Sequence, residues 1–267
     1  MSVKLKGIIE VMEGFAPKYL KEEYDNVGLM VGDKDKEITK VLLALDCTLE
    51  VIDEAVTVGA ELIITHHPLL FRRPSQITSD TLQGRKIIKL ISEGVNLYSS
   101  HTNLDSVHGG MNDILMDMLD LKDVEILEEN LNYPNKNHGI GRIGTVKECT
   151  LKDFIYKIKE EFQLEGLRYT GDLEKKITKV AVINGSGQDY IDLAIKKGAH
   201  CVITGDSTYH YASDYEELGF SIIDIGHFQS EWKIFLKVIE RIFKEEKEFN
   251  DLEFIVSKKS KDPYKFL

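Results

Sequence analysis

The sequence is poor in cysteine and in basic charge. It holds three cysteines in 267 residues, and Cys47, Cys149 and Cys201 lie far apart with no CxxC spacing. Cysteines that are few, odd in number and scattered are typical of reduced core or loop thiols, not of disulfides or a zinc knuckle. The 34 Lys and Arg residues are outnumbered by 45 Asp and Glu residues, which gives a formal net charge of -11. An acidic surface does not neutralise a nucleic-acid backbone, so we expect no nucleic-acid partner.

Long apolar runs are also lacking. No uninterrupted apolar stretch approaches the length that a membrane span needs, and the amphipathic pattern after Met1 is interrupted by Glu10 and Glu13. We therefore expect a cytoplasmic protein with no signal peptide and no membrane contact. A chain of 267 residues is long enough for one large domain or two of ordinary size.

The most informative short run is Ala60-Glu-Leu-Ile-Ile-Thr-His-His-Pro-Leu69. Its aliphatic residues predict a strand buried in a parallel sheet, and ligands of such sheets lie beyond the carboxyl ends of the strands. Successive residues of an extended segment point to opposite sides, and Pro68 favours an extended His67. We therefore expect the rings of His66 and His67 to diverge, which suits two metal ions better than one.

An internal duplication organises the chain. Residues 38–65 align without a gap to residues 177–204, with eleven of 28 positions identical. Both copies read as strand, turn, helix, glycine and second strand, which is a βαβ unit. The sequence therefore predicts an α/β fold of two similar domains, residues 1-128 and 129-267. Residues 130–138 are rich in Asn and are expected to link the halves.

The two copies differ where the chemistry is expected. After the second strand, the first copy has His66-His67 where the second copy has Gly205-Asp206. The shared part is therefore scaffold, and the histidine pair belongs to the first half. Asp206 is expected to line the same cleft without binding metal.

Each half also ends its next strand in a histidine with a carboxylate four residues later, as His101 with Asp105 and His227 with Glu231. Asp105 has an alternative role in a turn or cap, and Glu231 has one beside a helix dipole. Because equivalent strand ends meet at one edge of a sheet, we predict a metal site in the cleft between the two domains. Its predicted ligands are His66, His67, Asp105, His227 and Glu231.

Imidazole and carboxylate ligands together suit Zn, Fe, Mn, Co or Ni, and a carboxylate can bridge two such ions. We therefore predict two divalent ions. His101 is a direct ligand or a residue that orients a ligand or relays a proton, and we favour the catalytic role.

A glycine loop follows the first strand of the second copy, at Asn184-Gly-Ser-Gly-Gln-Asp189. The backbone at Gly185, Ser186 and Gly187 could approach a substrate phosphate, although a tight strand-to-helix turn explains the glycines equally well. For Asp25, local turn hydrogen bonding is the favoured role over a place in the site.

Six segments in this order resemble the Nif-three-like dinuclear-metal proteins, often labelled GTP cyclohydrolase 1 type 2. They are Asp25-Asn-Val-Gly28, Ile64-Thr-His-His-Pro68, His101-Thr-Asn-Leu-Asp105, Asn184-Gly-Ser-Gly187, Ile203-Thr-Gly205 and Gly226-His-Phe-Gln-Ser-Glu231. The resemblance implies two α/β domains, a toroidal hexamer assembled from trimers, and a two-metal centre with the five ligands named above. The short linker indicates the compact form, without the extra domain that some members insert. Family members often have Thr-Gly-Glu and paired histidines where this chain has Thr204-Gly-Asp-Ser-Thr-Tyr-His210.

The leading functional hypothesis is a dinuclear-metal-dependent hydrolase that acts on a small anionic substrate. The resemblance implies a GTP cyclohydrolase-type reaction that opens the imidazole ring of the purine, with His101 as proton shuttle. The alternatives are a two-metal phosphoesterase and a non-catalytic metal-binding or regulatory ring protein.

Overall fold

A computed structural model of the protein describes residues 2–130 and 137–265. Most of the predicted linker, residues 131–136, lies outside the described residues. None of the helices in the described part of the chain is long and apolar enough to cross a bilayer.

The elements alternate along the chain as an α/β fold requires. The strands are β1 (Val3–Lys4), β2 (Gly28–Val31), β3 (Glu37–Ile38), β4 (Lys40–Ala44), β5 (Leu62–Thr65), β6 (Asn96–Ser99), β7 (Lys122–Glu129), β8 (Gly139–Thr150), β9 (Arg168–Tyr169), β10 (Lys176–Val182), β11 (Cys201–Thr204), β12 (Ser221–Asp224) and β13 (Glu253–Val256). The helices are α1 (Leu5–Phe15), α2 (Leu49–Val58), α3 (Leu82–Ser92), α4 (Thr102–Ser106), α5 (Met111–Met118), α6 (Leu151–Phe162), α7 (Ile191–Lys196), α8 (Tyr209–Glu217) and α9 (His227–Phe243).

The chain divides into two compact units, and the first contains Met1–Leu104 and Phe235–Leu267. Its main sheet has the order β13-β4-β5-β6-β2, in which β2 is antiparallel to β6 and the other pairings are parallel. All four residues of β5 are buried, as predicted for a strand at the centre of a parallel sheet. Helix α2 begins at the N-cap Thr48, ends at the left-handed Gly59, and packs Ile52 and Ala55 into the core.

The second unit is Asp105–Ile234. Its sheet has the order β7-β8-β10-β11-β12-β9, with parallel pairing from β10 to β12 and antiparallel pairing on both sides. The core contains Ile191 and Ala194 of α7 against Val202 of β11 and Ile222 of β12.

The structure contains the predicted duplication. The succession β4-α2-β5-α3-β6 in the first unit repeats as β10-α7-β11-α8-β12 in the second, and both sets of three strands are parallel. Helix α7 is shorter than α2, because Gln188–Tyr190 form a 3-10 turn before it. Each repeat therefore has three strand ends at one edge of a sheet, where binding residues of α/β proteins lie.

The compact units divide the chain differently from the predicted halves, residues 1-128 and 129-267. The C-terminal strand β13 belongs to the first unit, because it pairs in parallel with β4, with Glu253 opposite Lys40. Strand β7 belongs to the second unit, because it pairs with β8. The predicted halves follow the repeat in the sequence, whereas the compact units follow the contacts that the folded chain makes.

Candidate metal centre

The carboxyl ends of β5 and β6 position three histidines of the first unit. Strand β5 ends at Thr65, directly before His66, and β6 ends at Ser99, two residues before His101. The hydroxyls of Thr65 and Ser99 share a buried hydrogen bond of 2.8 Å, and the Thr65 hydroxyl also donates to the carbonyl of His67 at 2.8 Å. These contacts fix the backbone at the point where the histidines leave the sheet.

The three rings lie together. The ring centroids are 5.3 Å apart for His66 and His67, 5.1 Å for His66 and His101, and 5.6 Å for His67 and His101. One ring nitrogen from each lies within 4.8 Å of the others, so the group could hold a metal ion. The prediction that the rings of His66 and His67 diverge is wrong. The strand ends at Thr65, and the alternation of an extended chain does not continue into the bend that follows.

Each ring is oriented through its Nδ1 atom, and the acceptors are all oxygen atoms of the same unit. They are the Ser100 carbonyl for His66 at 2.9 Å, Asp46 Oδ1 for His67 at 2.9 Å, and Asp25 Oδ1 for His101 at 3.0 Å. A carbonyl or carboxylate oxygen only accepts, so each Nδ1 carries the hydrogen and each Nε2 keeps its lone pair. Histidines that bind metal are usually held in this way.

Asp25 is a buried partner of His101, not only a turn residue. Its carboxylate accepts hydrogen bonds from the Nδ1 of His101, the backbone amide of Thr102 and the backbone amide of Asn26. Burial raises the pKa of Asp25, but the hydrogen bond and charge of His101, with hydrogen bonds from the Thr102 hydroxyl and the Asn26 amide, outweigh it and lower the pKa to about 2. Asp25 is therefore a permanent carboxylate that orients the ring of His101.

The second unit carries a histidine–glutamate pair in the first turn of α9. His227 Nε2 lies 3.1 Å from Glu231 Oε2, and His227 Nδ1 lies 2.7 Å from Asp206 Oδ2. Burial lowers the pKa of His227, but the bonds to Asp206 and Glu231 outweigh it and raise the pKa to about 11. The bond from His227 lowers the pKa of Asp206. Asp206 thus orients His227 as Asp46 orients His67.

The glycines of the second repeat make room for the first turn of α9. A Cβ at Gly205 would lie 2.3 Å from the Ser230 hydroxyl and 2.8 Å from the Cα of His227, and one at Gly185 would lie 2.3 Å from Glu231 Oε1. The Gly185 amide donates to the Ser230 hydroxyl at 3.1 Å. The absence of side chains at these positions therefore sets where His227 and Glu231 lie.

Replacing Gly205 with alanine is expected to lower the free energy of unfolding by about 1–3 kcal/mol, because the new Cβ meets fixed backbone. The matched control is Gly166→Ala, since a Cβ at Gly166 meets nothing within 4 Å and its φ is not positive. Its stability should change by about 0.5 kcal/mol or less. Urea denaturation measures both. Equal stabilities of the two variants would contradict the close packing of α9 on this loop.

Asp105 is held by an amide network within the second unit. Its Oδ1 accepts a hydrogen bond of 2.8 Å from Asn184 Nδ2, and its carbonyl accepts one of 3.1 Å from Asn112 Nδ2. The Asn184 amide in turn donates to Asn112 Oδ1 at 3.0 Å. Asn184 precedes Gly185, so the loop that touches Glu231 also orients Asp105.

The glycine loop makes internal hydrogen bonds. The Gly187 amide donates to the Thr204 hydroxyl at 2.9 Å, and the Gly185 amide donates to Ser230. These two amides are therefore engaged within the unit, and Ser186 is the exposed residue between them. Of the three predicted substrate-contacting residues, Gly185 and Gly187 are buried and Ser186 is exposed.

Sequence reasoning missed the carboxylates that orient the histidines. The sequence indicates no role for Asp46, favours a turn for Asp25 and predicts that Asp206 lines the cleft. Their positions are a signal that the sequence does contain, because Asp46 follows β4 and Asp206 follows β11, both at the carboxyl ends of parallel strands. The partner of each aspartate, however, lies 21 residues away for Asp46 and Asp206 and 76 residues away for Asp25.

In each unit, taken by itself, the donor atoms are of the types that transition-metal ions prefer. Four imidazoles have an oxygen acceptor at Nδ1, and Glu231 adds a carboxylate beside His227. Imidazole with carboxylate suits such ions. Cys47 and Cys201 do not compete with these groups as metal ligands, because burial raises the pKa of their free thiols to about 12. All three cysteines are free, with Cys47 and Cys201 buried and Cys149 partly buried, which agrees with the prediction of core or loop thiols.

Comparison with known proteins gives matches over nearly the whole chain. The family model described as Duf34/NIF3 (NGG1p interacting factor 3) matches residues 3–263. A protein of Clostridium perfringens (strain 13 / Type A) named GTP cyclohydrolase 1 type 2 homolog is 54% identical over 266 residues, which cover 99% of this chain and 100% of that one. A protein of the same name from Clostridium acetobutylicum is 48% identical over 270 residues, which cover 100% of both chains.

A solved structure has the same architecture. The crystal structure of a Bacillus cereus protein related to NIF3 superposes with a TM-score of 0.90 and 28% sequence identity, covering 99% of both chains. The succession of elements described above is therefore found in a second chain of known structure.

Proposed function

The chain belongs to the Duf34/NIF3 family, and from that membership and the geometry of its histidines we propose that it is a metal-dependent hydrolase of purine nucleotides. The observation that carries the proposal is the common orientation of four imidazoles. Each has an oxygen acceptor at Nδ1, from Ser100, Asp46, Asp25 or Asp206. Such second partners fix the ring and raise its basicity as a metal ligand.

The proposed ligands of two divalent metal ions are His66, His67, Asp105, His227 and Glu231. Bound ions of this kind lower the pKa of water towards neutrality and neutralise negative charge on a substrate. Asp46 and Asp206 would hold the rings of His67 and His227, and Asn184 would hold Asp105. That all five ligands bind the same pair of ions stays a prediction from the sequence and its resemblance.

His101 is the proposed group that moves protons. Its Nδ1 is held by Asp25, whose pKa of about 2 keeps the carboxylate charged and opposite the ring. A carboxylate in this position stabilises the imidazolium that forms when Nε2 takes a proton. Its ring also lies beside those of His66 and His67. His101 could therefore act next to the proposed metal ligands.

The proposed substrate is GTP. Support comes from the name GTP cyclohydrolase 1 type 2 homolog, which the Clostridium relatives carry. Hydrolysis would open the imidazole ring of guanine, and the carbon between its two nitrogens would leave as formate. In a chain of net charge -11, bound cations would supply local positive charge for a triphosphate. The hexamer also stays a prediction from the resemblance.

Metal analysis followed by an assay with GTP tests this function. Protein purified without added metal or chelator is expected to carry close to two divalent ions per chain. After metal loading, release of formate from GTP supports ring opening. Release of inorganic phosphate would instead indicate a two-metal phosphoesterase. If the protein contains metal but releases neither product, it is a metal-binding protein without this activity.

The variant His101→Gln is expected to keep its metal and to lose about 100-fold in turnover, because positioned acid–base groups contribute at least about that factor. Glutamine retains polarity at this position but does not exchange a proton. Metal content by mass spectrometry and formate release are measured on the same sample. If the variant also loses metal, His101 is a ligand and not the proton shuttle. The control is His210→Gln, an exposed histidine of α8.

A further inference from the structure

We infer that Tyr24 and Phe71, together with the guanidinium groups of Arg72 and Arg73, form the site that binds the planar ring and the anionic tail of a nucleotide. The inference rests on the proposed function, since it assigns residues to recognition of that substrate class. It adds four residues of the first unit, and none of them is a proposed metal ligand.

The first observation is an aromatic surface beside His101. Phe71 is 42% exposed and Tyr24 is 65% exposed. Their ring centroids are 6.1 Å apart, and the ring of Phe71 lies 6.2 Å from that of His101. Exposed aromatic rings next to a polar site are a common means of stacking a nucleobase, because every base has a flat π face. Here the surface adjoins the proposed catalytic ring.

The second observation is that the loop carrying Phe71 is held in place. Asn26 Nδ2 donates to the Leu70 carbonyl at 2.8 Å, and Gln83 Nε2 donates to the Leu69 carbonyl at 2.9 Å. Side-chain amides from two different segments therefore hold the backbone just before Phe71. A surface fixed in this way loses little conformational entropy when a ligand binds.

The third observation is a pair of exposed cations on the same loop as Phe71. Arg72 and Arg73 follow Phe71 directly, and both are exposed. Across residues 2–130 and 137–265, neither guanidinium has a carboxylate partner. Two uncompensated arginines are notable in a chain with 45 acidic and 34 basic residues. The guanidinium group matches phosphate oxygens in a bidentate geometry, so a triphosphate is the complementary tail.

Binding measurements with GTP and with inorganic triphosphate separate the two parts of this site. Calorimetry on protein of known metal content should show about tenfold weaker GTP binding for Phe71→Leu and for Tyr24→Ala, with triphosphate binding unchanged. Leucine keeps the apolar contacts of Phe71 and removes only the ring face. The double variant Arg72→Ala, Arg73→Ala should weaken the binding of both ligands.

Matched controls remove the same groups elsewhere. Tyr264→Ala removes a tyrosine that is 76% exposed, and Lys258→Ala with Lys259→Ala removes two exposed cations near the C-terminus. Both should bind GTP as the unaltered chain does. Wild-type affinity for GTP in Phe71→Leu and Tyr24→Ala, or an equal loss for both ligands, overturns the inference.

Failure of this site and failure of the proposed function give different results. If GTP binds with the expected dependence on Phe71 but no formate appears, the binding site stands and the hydrolase proposal fails. If formate is released and the KM for GTP is the same in Phe71→Leu as in the unaltered chain, the hydrolase stands and this site fails.

Discussion

The double variant His67→Ala, His227→Ala is expected to lose the proposed metal ions and the proposed metal-dependent turnover. Each unit loses one imidazole whose Nδ1 is fixed by an aspartate, Asp46 or Asp206. Removing an orienting partner alone typically weakens metal affinity by about 10–100-fold, and removing the ligand itself costs more. We therefore expect a loss of affinity of more than about 100-fold.

The measurement is metal content after dialysis at a fixed free-metal concentration, with circular dichroism to check folding. The control variant His108→Ala, His210→Ala also removes two imidazoles, both exposed, and should keep its metal. The metal content of Asp46→Asn should lie between those of the two double variants, since asparagine is a weaker hydrogen-bond acceptor for the His67 ring. Full metal content in His67→Ala, His227→Ala would remove these histidines from the proposed ligands.

The sequence marks candidate residues to the extent that the chain repeats. The identity between residues 38–65 and 177–204 covers the first two parallel strands of each set. Strand ends, those of the third strands included, mark His66, His101 and His227 as candidates. Hydrophobic pattern and repeat are local properties that a single chain displays. The resemblance of six ordered segments predicts the family, and the comparisons confirm it.

What the sequence did not predict depends on pairing between distant segments. Strand β13 joins β4 across more than 200 residues, and neither strand carries a mark of its partner. The bend at His66 was likewise not predictable from alternation, because one residue decides where a strand ends. Tertiary packing determines the pairing of β13 with β4 and the bend at His66. The sequence alone therefore predicts neither the extent of the two units nor the directions of the histidine rings.

Nothing in the sequence indicates that Arg142 is buried or that it joins several segments of the second unit. It lies in β8, it is 1% exposed, and it is bidentate to Asp113, with Nε–Oδ1 at 3.0 Å and Nη2–Oδ2 at 2.8 Å. Its Nη1 also donates to the carbonyls of Gly139 and Gly141, both at 2.8 Å, and its Nη2 to that of Val107 at 3.1 Å. One buried cation therefore joins β8, α5 and the segment that follows Asp105.

Replacing Arg142 with methionine is expected to lower the free energy of unfolding by about 3–5 kcal/mol, because removing one partner of a buried pair leaves the other charge uncompensated. The carbonyls of Gly139 and Gly141 also lose their donor. Urea denaturation measures the effect. The same substitution at the exposed Arg85 should change stability by about 0.5 kcal/mol or less.

A second variant separates the charge from the carbonyl contacts. The double variant Arg142→Met, Asp113→Leu removes both charges and should be more stable than Arg142→Met alone, because no partly buried carboxylate is left without its cation. It should remain less stable than the unaltered chain, since the carbonyls still lack donors. If Arg142→Met unfolds at the same urea concentration as Arg85→Met, the cation does not hold this part of the second unit. In that case the hydrogen bonds from Asn184 and Asn112 hold Asp105 without help from Arg142.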